Sequence, residues 1–276
     1  AVNTDLRYLN VPFIGSAGSY ELTAHSNPNV LTPGYWMLFA LNADGTPSIS
    51  KVIQIRALND EDPEPQNSLD FTYSSFADIS PFQLNGAATS ISGSMRVADT
   101  TPAATGSVFY KTPAAIDSTS SFSTSFEFNL GGGAGGSEGL AFVLQGNEST
   151  ELGAGGSGLG YQNSLNSLVV EIDTSNNTAG DINGNHVAVH ANGDSATPLA
   201  SAGAAFDLND GASHRVWVDY SAPTETLTVY LAQDSGAAKP ALPIITLNEF
   251  NLLETVGSLG YFGFTAASGG TGNNHD

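Results

Sequence analysis

Cysteine is absent from the 276 residues, so no disulfide staples the fold, and any stapling beyond packing would fall to bound metal. Basic residues are scarce. Seven Lys and Arg face twenty-seven Asp and Glu, and the resulting formal charge of −20 repels phosphate backbones and anionic membranes, which excludes nucleic acid as a partner. No apolar run approaches the roughly 18 residues that a bilayer span needs, and no signal peptide opens the chain, as expected of a processed secreted protein or an internal piece. The glycine-rich stretch 153–160 lacks the Lys-Ser/Thr ending of a phosphate-binding loop. What is present is 40% hydrophobic residues, enough for a core, with 31 Gly and 13 Pro favouring short strands and turns. The class is all-β, and the acidity is compatible with a secreted bacterial protein.

Residues 6–13, 19–24, 35–41 and 50–55 read as strands, punctuated by turns at Asn27-Pro28, Pro33-Gly34 and Asp44-Gly45. A sandwich normally needs about seven strands, so residues 1–57 form a partial domain that pairs with something else or packs on the larger one. The Pro-interrupted acidic run at 59–65 cannot join a sheet, and 58–68 reads as a linker. A second domain, 69–276, opens with strands expected near 69–76, 90–97 and 106–111. Phe122, Phe126, Phe128 and Leu130 then alternate with polar residues, as do Val216, Val218 and Tyr220, and Leu227, Val229 and Leu231, each the pattern of a half-buried sandwich strand.

Residues 169–189 carry the chemistry. Two apolar strands flank a loop of Ser, Asn, Gly and Asp, and strand alternation puts Glu171 and Asp173 on one face about 7 Å apart. Two carboxylates so close raise one pKa unless a cation sits between them, and Asn177, Asp181 and His186 follow at once. Oxygen ligands suit calcium, whereas an imidazole beside carboxylates suits manganese or another transition ion. An EF-hand is excluded, because the sharp-turn position is Thr178 rather than Gly and the twelfth is Gly184 rather than Glu. For any one of these acids a merely solvated loop is the alternative. His190 and His214 have no acid at useful spacing and read as strand-surface histidines.

Glu-x-Asp-Thr followed by Asn177, Asp181 and His186 resembles the metal motif of the legume-type (L-type) lectins. Ser-Phe-Ser-Thr-Ser-Phe-Glu-Phe at 121–128, Glu-Gly-Leu-Ala-Phe-Val-Leu at 138–144, Gly-Leu-Gly-Tyr at 158–161 and Gly-Phe-Thr-Ala-Ala at 263–267 fall in that family's order. The resemblance implies a jelly-roll β-sandwich over 69–276 in which Glu171, Asp173, Asp181 and His186 hold a transition metal. Asp173, Asp181, Asn177 and the Ser175 carbonyl would complete a calcium shell. It also implies a sugar site: Glu138, where the family usually has Asp, accepts from sugar hydroxyls, Asn177 touches both calcium and sugar, and Gly156 offers a backbone N–H. The small-residue loop 268–274, with Gly270, would close the site. The family commonly places an aromatic ring at the position of Ser175, and Tyr161 is the nearest substitute. Separately, Val-Asn-Thr-Asp at 2–5, Pro-Gly-Tyr-Trp-Met-Leu-Phe at 33–39 and Asp-Gly-Thr-Pro-Ser at 44–48 resemble the end of the immunoglobulin-like C-terminal domain of galactose-oxidase-type copper-radical enzymes.

The expected function is therefore a calcium- and transition-metal-dependent carbohydrate-binding module of a larger secreted protein, not an enzyme, with glycans or polysaccharide as partners. A hydrolase pairing Glu138 with Asp173 or Asp181 is weighed against it and fails if metal occupies the two Asp. A copper-radical oxidase applies only to a parent protein, and a structural or adhesive domain without sugar binding is the third reading. The family continues past the equivalent of Asp276 into one last strand, so an incomplete sandwich is expected, with an open edge at 69–76 available for self-association.

Overall fold

In the computed structural model of the chain, which describes residues 9–16, 19–22, 30, 32, 34–55, 66–131, 138–270 and 272–276, alternating and fully apolar runs become strands and the Gly, Asn and Asp clusters become turns. Residues 1–62 form one compact unit and 63–276 another. The smaller unit holds β1 (Phe13–Ser16), β2 (Ser19–Leu22), β3 (Gly34–Leu38) and β4 (Lys51–Ile55), paired as two antiparallel ladders, β1 with β2 and β3 with β4. Asp44-Gly45 is a turn whose Gly45 N–H donates to the Asn42 carbonyl at 2.9 Å, while the Asn42 side chain accepts from Asp44 and Thr46. The expected start of the first strand at 6–8, the turns at Asn27-Pro28 and Pro33, and linker residues 58–65 lie outside the described residues. Gln66, placed in the linker by sequence, instead bridges to Ala114.

The larger unit continues with β5 (Phe82–Gly86), β6 (Thr89–Ile91), β7 (Ser94–Arg96), β8 (Thr105–Tyr110), β9 (Ala114–Ala115), β10 (Phe122–Gly131), β11 (Gly139–Gln145), β12 (Ser167–Asp173) and β13 (His186–Ala191). After these come β14 (Ala200–Gly203), β15 (Ser213–Ser221), β16 (Thr226–Ala232), β17 (Ile245–Leu247), the short α1 (Leu252–Val256), β18 (Leu259–Ala267) and β19 (Asn274–His275). Two sheets result. One runs β14-β13-β12-β11-β18-β8-β5, with β9 also on β18, and the other runs β17-β16-β15-β10-β19. Phe128 and Leu130 of β10, Phe142 and Leu144 of β11, Val170 and Ile172 of β12, and Val216 and Val218 of β15 belong to one buried cluster, with Phe126, Phe262 and Phe264 packed on it. Each such side chain contributes about 1.5–3 kcal/mol on burial. No helix among the described residues is long and apolar enough to cross a membrane.

Strands β11 and β12 are buried at every position, which explains why Gly-Leu-Ala-Phe-Val-Leu reads as an unbroken apolar run. Their inward residues face the sandwich core. Their outward residues Ala141, Val143 and Val169 pack instead with Phe109, Leu159 and Tyr161 in a second cluster. The glycine-rich segment around the 3-10 turn Gly156–Gly158 therefore lies on the outer face of the larger sheet, the face that also carries Glu171 and Asp173.

The expected strand at 69–76 is not formed, and this corrects the sequence reading. Phe71, Tyr73 and Phe76 enter an aromatic cluster with Phe82 and Tyr110, with ring centroids 4.6 Å apart for Phe71–Tyr110 and 5.0 Å for Tyr73–Phe82. Ring packing there takes the place of a ladder, so the open edge is not at 69–76 either. In the sheet that contains it, β10 is left open along most of one side: it pairs with β15 from Phe122 to Asn129, but on its other side β19 meets only Leu130 and Gly131.

Candidate functional site

One row of paired residues crosses the end of the larger sheet: His186 opposite Asp173, Asp173 opposite Gly139, Gly139 opposite Ala267, and Ala267 opposite Thr105. Each strand turns into or out of a loop at this row, so chain segments far apart in sequence meet there. Glu138 precedes Gly139, and its carbonyl accepts from Thr174 N–H at 3.1 Å. Ser268 follows Ala267 and donates its hydroxyl to the Thr101 carbonyl at 2.8 Å.

The acids and the imidazole converge as their types require. Glu171, Asp173, Asp181 and His186 each offer an atom within 4.8 Å of the others, the only such group of three or more potential ligands among the described residues. Glu171, Asp173 and His186 are buried, at 2%, 1% and 1% exposure. Burial and then the Glu171 charge push Asp173 upward from its ordinary value. Burial acts the same way on Asp181, but the hydroxyl and N–H of Thr178, the N–H of Asn177 and the His186 ring outweigh it and hold that carboxyl below its ordinary value. The Nδ1 of His186 lies 2.7 Å from the Asn183 carbonyl, which can only accept, so this nitrogen carries the proton and Nε2 keeps its lone pair. Buried like charges beside an imidazole so oriented are a donor set that fits a divalent cation and makes an expensive site without one.

Beside this cluster, Asn177 spans two functions. Its backbone N–H donates to Asp181 Oδ2 at 2.8 Å, and its side-chain amide donates to Glu138 Oε2. The Ser175 N–H donates to Asp173 Oδ1 at 2.5 Å. Asn177 is exposed and Glu138 half-buried. Gly270 is exposed with open space where a Cβ would point, and Gly156 has equally open space at φ +59°. Glu138 and Asn177 are thus in direct contact, whereas Gly156 and Gly270 have open surroundings on neighbouring loops.

Several residues were missed or misread. Gly269 borders Glu138, since a Cβ there would stand 3.0 Å from Oε1, and only the small-residue composition of 268–274 hinted at it. Thr178 buttresses Asp181 through its hydroxyl at 2.5 Å. Tyr161 is no sugar-stacking ring: it is fully buried, and its hydroxyl donates to Glu171. His190 and His214 are not on the surface but buried at 2% and 0%. His214 is wedged against Phe128 and Phe206 with Nε2 3.1 Å from Asp210, an acid four residues away whose spacing was in view. His190 reaches Glu171, a diagonal neighbour across the β12–β13 ladder.

Comparison with known proteins bears on the family and the fold. The Legume lectin domain family matches residues 68–276, and the Galactose oxidase-like, Early set domain family matches residues 1–55. Among curated relatives, the L-type lectin-domain containing receptor kinase S.7 of Oryza sativa is 34% identical over 161 residues, 54% of this chain and 22% of its own length. The receptor kinase I.8 of Arabidopsis thaliana is 31% identical over 206 residues, 66% of this chain and 30% of its own. A galactose oxidase of Gibberella zeae is 40% identical over 55 residues, 20% of this chain and 8% of its own. The chain thus spans less than a third of the length of these relatives. Peanut lectin with a 9mer peptide superposes with a TM-score of 0.64 at 25% identity, covering 74% of this chain and 92% of that one. Lectin UEA-II complexed with galactose gives 0.64 at 24%, covering 76% and 96%, which shows the shared fold. From these matches and the jelly-roll sandwich, the chain belongs to the legume lectin domain family, a carbohydrate-binding and non-enzymatic fold, here preceded by an immunoglobulin-like early set segment of the galactose oxidase type.

Proposed function

We propose that residues 69–276 are a metal-dependent glycan-binding module of an extracellular protein. Glu171, Asp173, Asp181 and His186 would hold a transition ion such as manganese, and Asp173, Asp181, Asn177 and the Ser175 carbonyl would hold calcium. The ions would neutralise the buried acids and order loop 174–185. Glu138 and the Asn177 amide would then take sugar hydroxyls, with the backbone at Gly156 and Gly270 closing the site. The observation that carries this reading is Asn177 itself, tied by its backbone to the metal-cluster acid Asp181 and by its side chain to Glu138.

With Ser175 in place of a ring and Tyr161 buried, stacking on a sugar face is lost. Monosaccharide affinity then falls in the millimolar range, about −4 kcal/mol, and useful binding comes from multivalent glycans. The test is an array of multivalent glycans probed with and without EDTA. Binding should vanish in EDTA and in Glu138→Ala, while Glu138→Ala keeps its metal-dependent melting. Undiminished binding by Glu138→Ala and Asn177→Ala would place the sugar elsewhere. For a longer protein containing this chain, the early set segment favours a copper-radical carbohydrate oxidase to which the lectin module brings substrate, tested by looking for a His and a propeller upstream of Ala1.

A further inference from the structure

Beneath the glycine loop, the metal ligand Glu171 meets two buried polar side chains, Tyr161 and His190, that the metal and sugar roles do not use. Tyr161 is 0% exposed, Glu171 2% and His190 2%. The Tyr161 hydroxyl donates to Glu171 Oε2, and His190 Nε2 stands 3.4 Å from that same oxygen. His190 is itself held, since Nδ1 donates to the Asp194 carbonyl at 2.8 Å, and its ring lies against Tyr161 with centroids 5.8 Å apart. The surroundings are apolar: Phe109, Ala141, Val143, Leu159 and Val169 pack around Tyr161. In such a layer a phenyl ring would fill the same space without a polar group to satisfy, so a hydroxyl there is costly unless it has a partner, and its partner is Glu171.

We propose that Tyr161 is a positioning residue of the metal cluster, its hydroxyl pinning Oε2 of Glu171 so that the carboxylate presents its other oxygen to the ion, with the His190 ring backing the Tyr161 ring. The same hydroxyl also fastens the glycine loop to a metal ligand. That loop is a closed local unit: Gly153 N–H donates to the Gly160 carbonyl at 2.7 Å, Ala154 N–H to the Gln162 carbonyl at 3.0 Å and Tyr161 N–H to the Gly158 carbonyl at 2.9 Å. Its one polar tether to the metal-bearing strand β12 among the described contacts of Tyr161 is the hydroxyl on Glu171. Ion binding at Glu171 therefore sets how firmly the segment carrying Gly156 is seated, although Gly156 does not touch the ion cluster.

This inference rests on the metal reading above and is separable from it. In the 276-residue chain, Tyr161→Phe keeps the ring and its packing while removing the donor on Glu171. Loss of an outer partner of a metal ligand typically weakens metal affinity about 10- to 100-fold. The Mn2+ dissociation constant from calorimetry should rise by that factor in Tyr161→Phe. Amide exchange in 153–162 should slow on adding Mn2+ in the parent and not in Tyr161→Phe. A purely packing role would shift the melting temperature of metal-free protein but leave both readouts unchanged, and unchanged readouts overturn the proposal. If the parent itself takes up no Mn2+, the metal reading falls first and this one with it.

Discussion

Replacing Asp173 by Asn should move stability in opposite directions with and without metal. Asn is nearly isosteric and keeps an oxygen to accept from Ser175 N–H, so the loop geometry is spared. Without metal, the raised Asp173 carboxyl marks a group that the fold prefers neutral. The sign follows: the cost is absent below the unfolded value of 3.8 and grows as pH rises toward the folded value of about 9, so at neutral pH the metal-free fold must keep protonated a carboxyl that the unfolded chain holds ionised. Removing it should stabilise the metal-free form by about 1–3 kcal/mol, the usual range for a buried polar group without compensation. At about 2–4 °C per kcal/mol for a domain of this size, the melting temperature in EDTA should rise by about 2–12 °C. Metal at a hundred times its dissociation constant should stabilise the parent by about 2.7 kcal/mol, about 5–11 °C, and the variant not at all. Thermal unfolding followed by Trp217 fluorescence, at pH 7 with EDTA and with Ca2+ plus Mn2+, measures all four states; Trp36, the other tryptophan, belongs to the smaller unit. A variant that melts below the parent in EDTA, or that gains as much from metal as the parent does, would refute the reasoning.

Two further outcomes follow from neighbouring geometry. Gly139 sits at φ +148° and a Cβ there would collide with the Ile172 carbonyl, so Gly139→Ala should cost about 1–3 kcal/mol and, by shifting the residue next to Glu138, reduce glycan binding together with thermal stability; an unchanged melting curve would contradict this. Burial lowers His275 from 6.5 to about 4, so the fold accepts only the neutral ring: stability is unaffected above pH 6.5 and falls by about 3 kcal/mol as pH drops to 4, where the unfolded chain is protonated and the fold is not. Urea unfolding across that range should show the slope, and His275→Gln should flatten it.

Much of the site was legible because it depends on local rules. Alternation put Glu171 and Asp173 on one face, and the polar loop that follows delivered Asp181 and His186 to the same place. What stayed hidden depends on contacts between distant segments. His190 shares the face of Glu171 only because β13 pairs with β12 so that Val169 opposes His190, a register set by how loop 174–185 turns. Tyr161 looked like an available ring because nothing in Gly-Leu-Gly-Tyr says that the segment folds down onto the outer face of the sheet. The strand expected at 69–76 had the right residues, but its aromatics found better partners in Phe82 and Tyr110 than a ladder would offer.

The row His186, Asp173, Gly139, Ala267 and Thr105 separates what must stay constant from what is free to diverge. Everything on the sheet side of that line is locked into ladders and two cores, where a length change of one residue would turn every side chain over. Beyond it lie loops anchored at both ends; loop 174–185 is held in shape by the metal ligands it carries, whereas the small-residue loop after Ala267 is far less sensitive to length. Insertions after Ala267 could therefore retune ligand choice while the scaffold registers no change, which makes this corner of the sheet the natural place to graft new recognition onto an old frame.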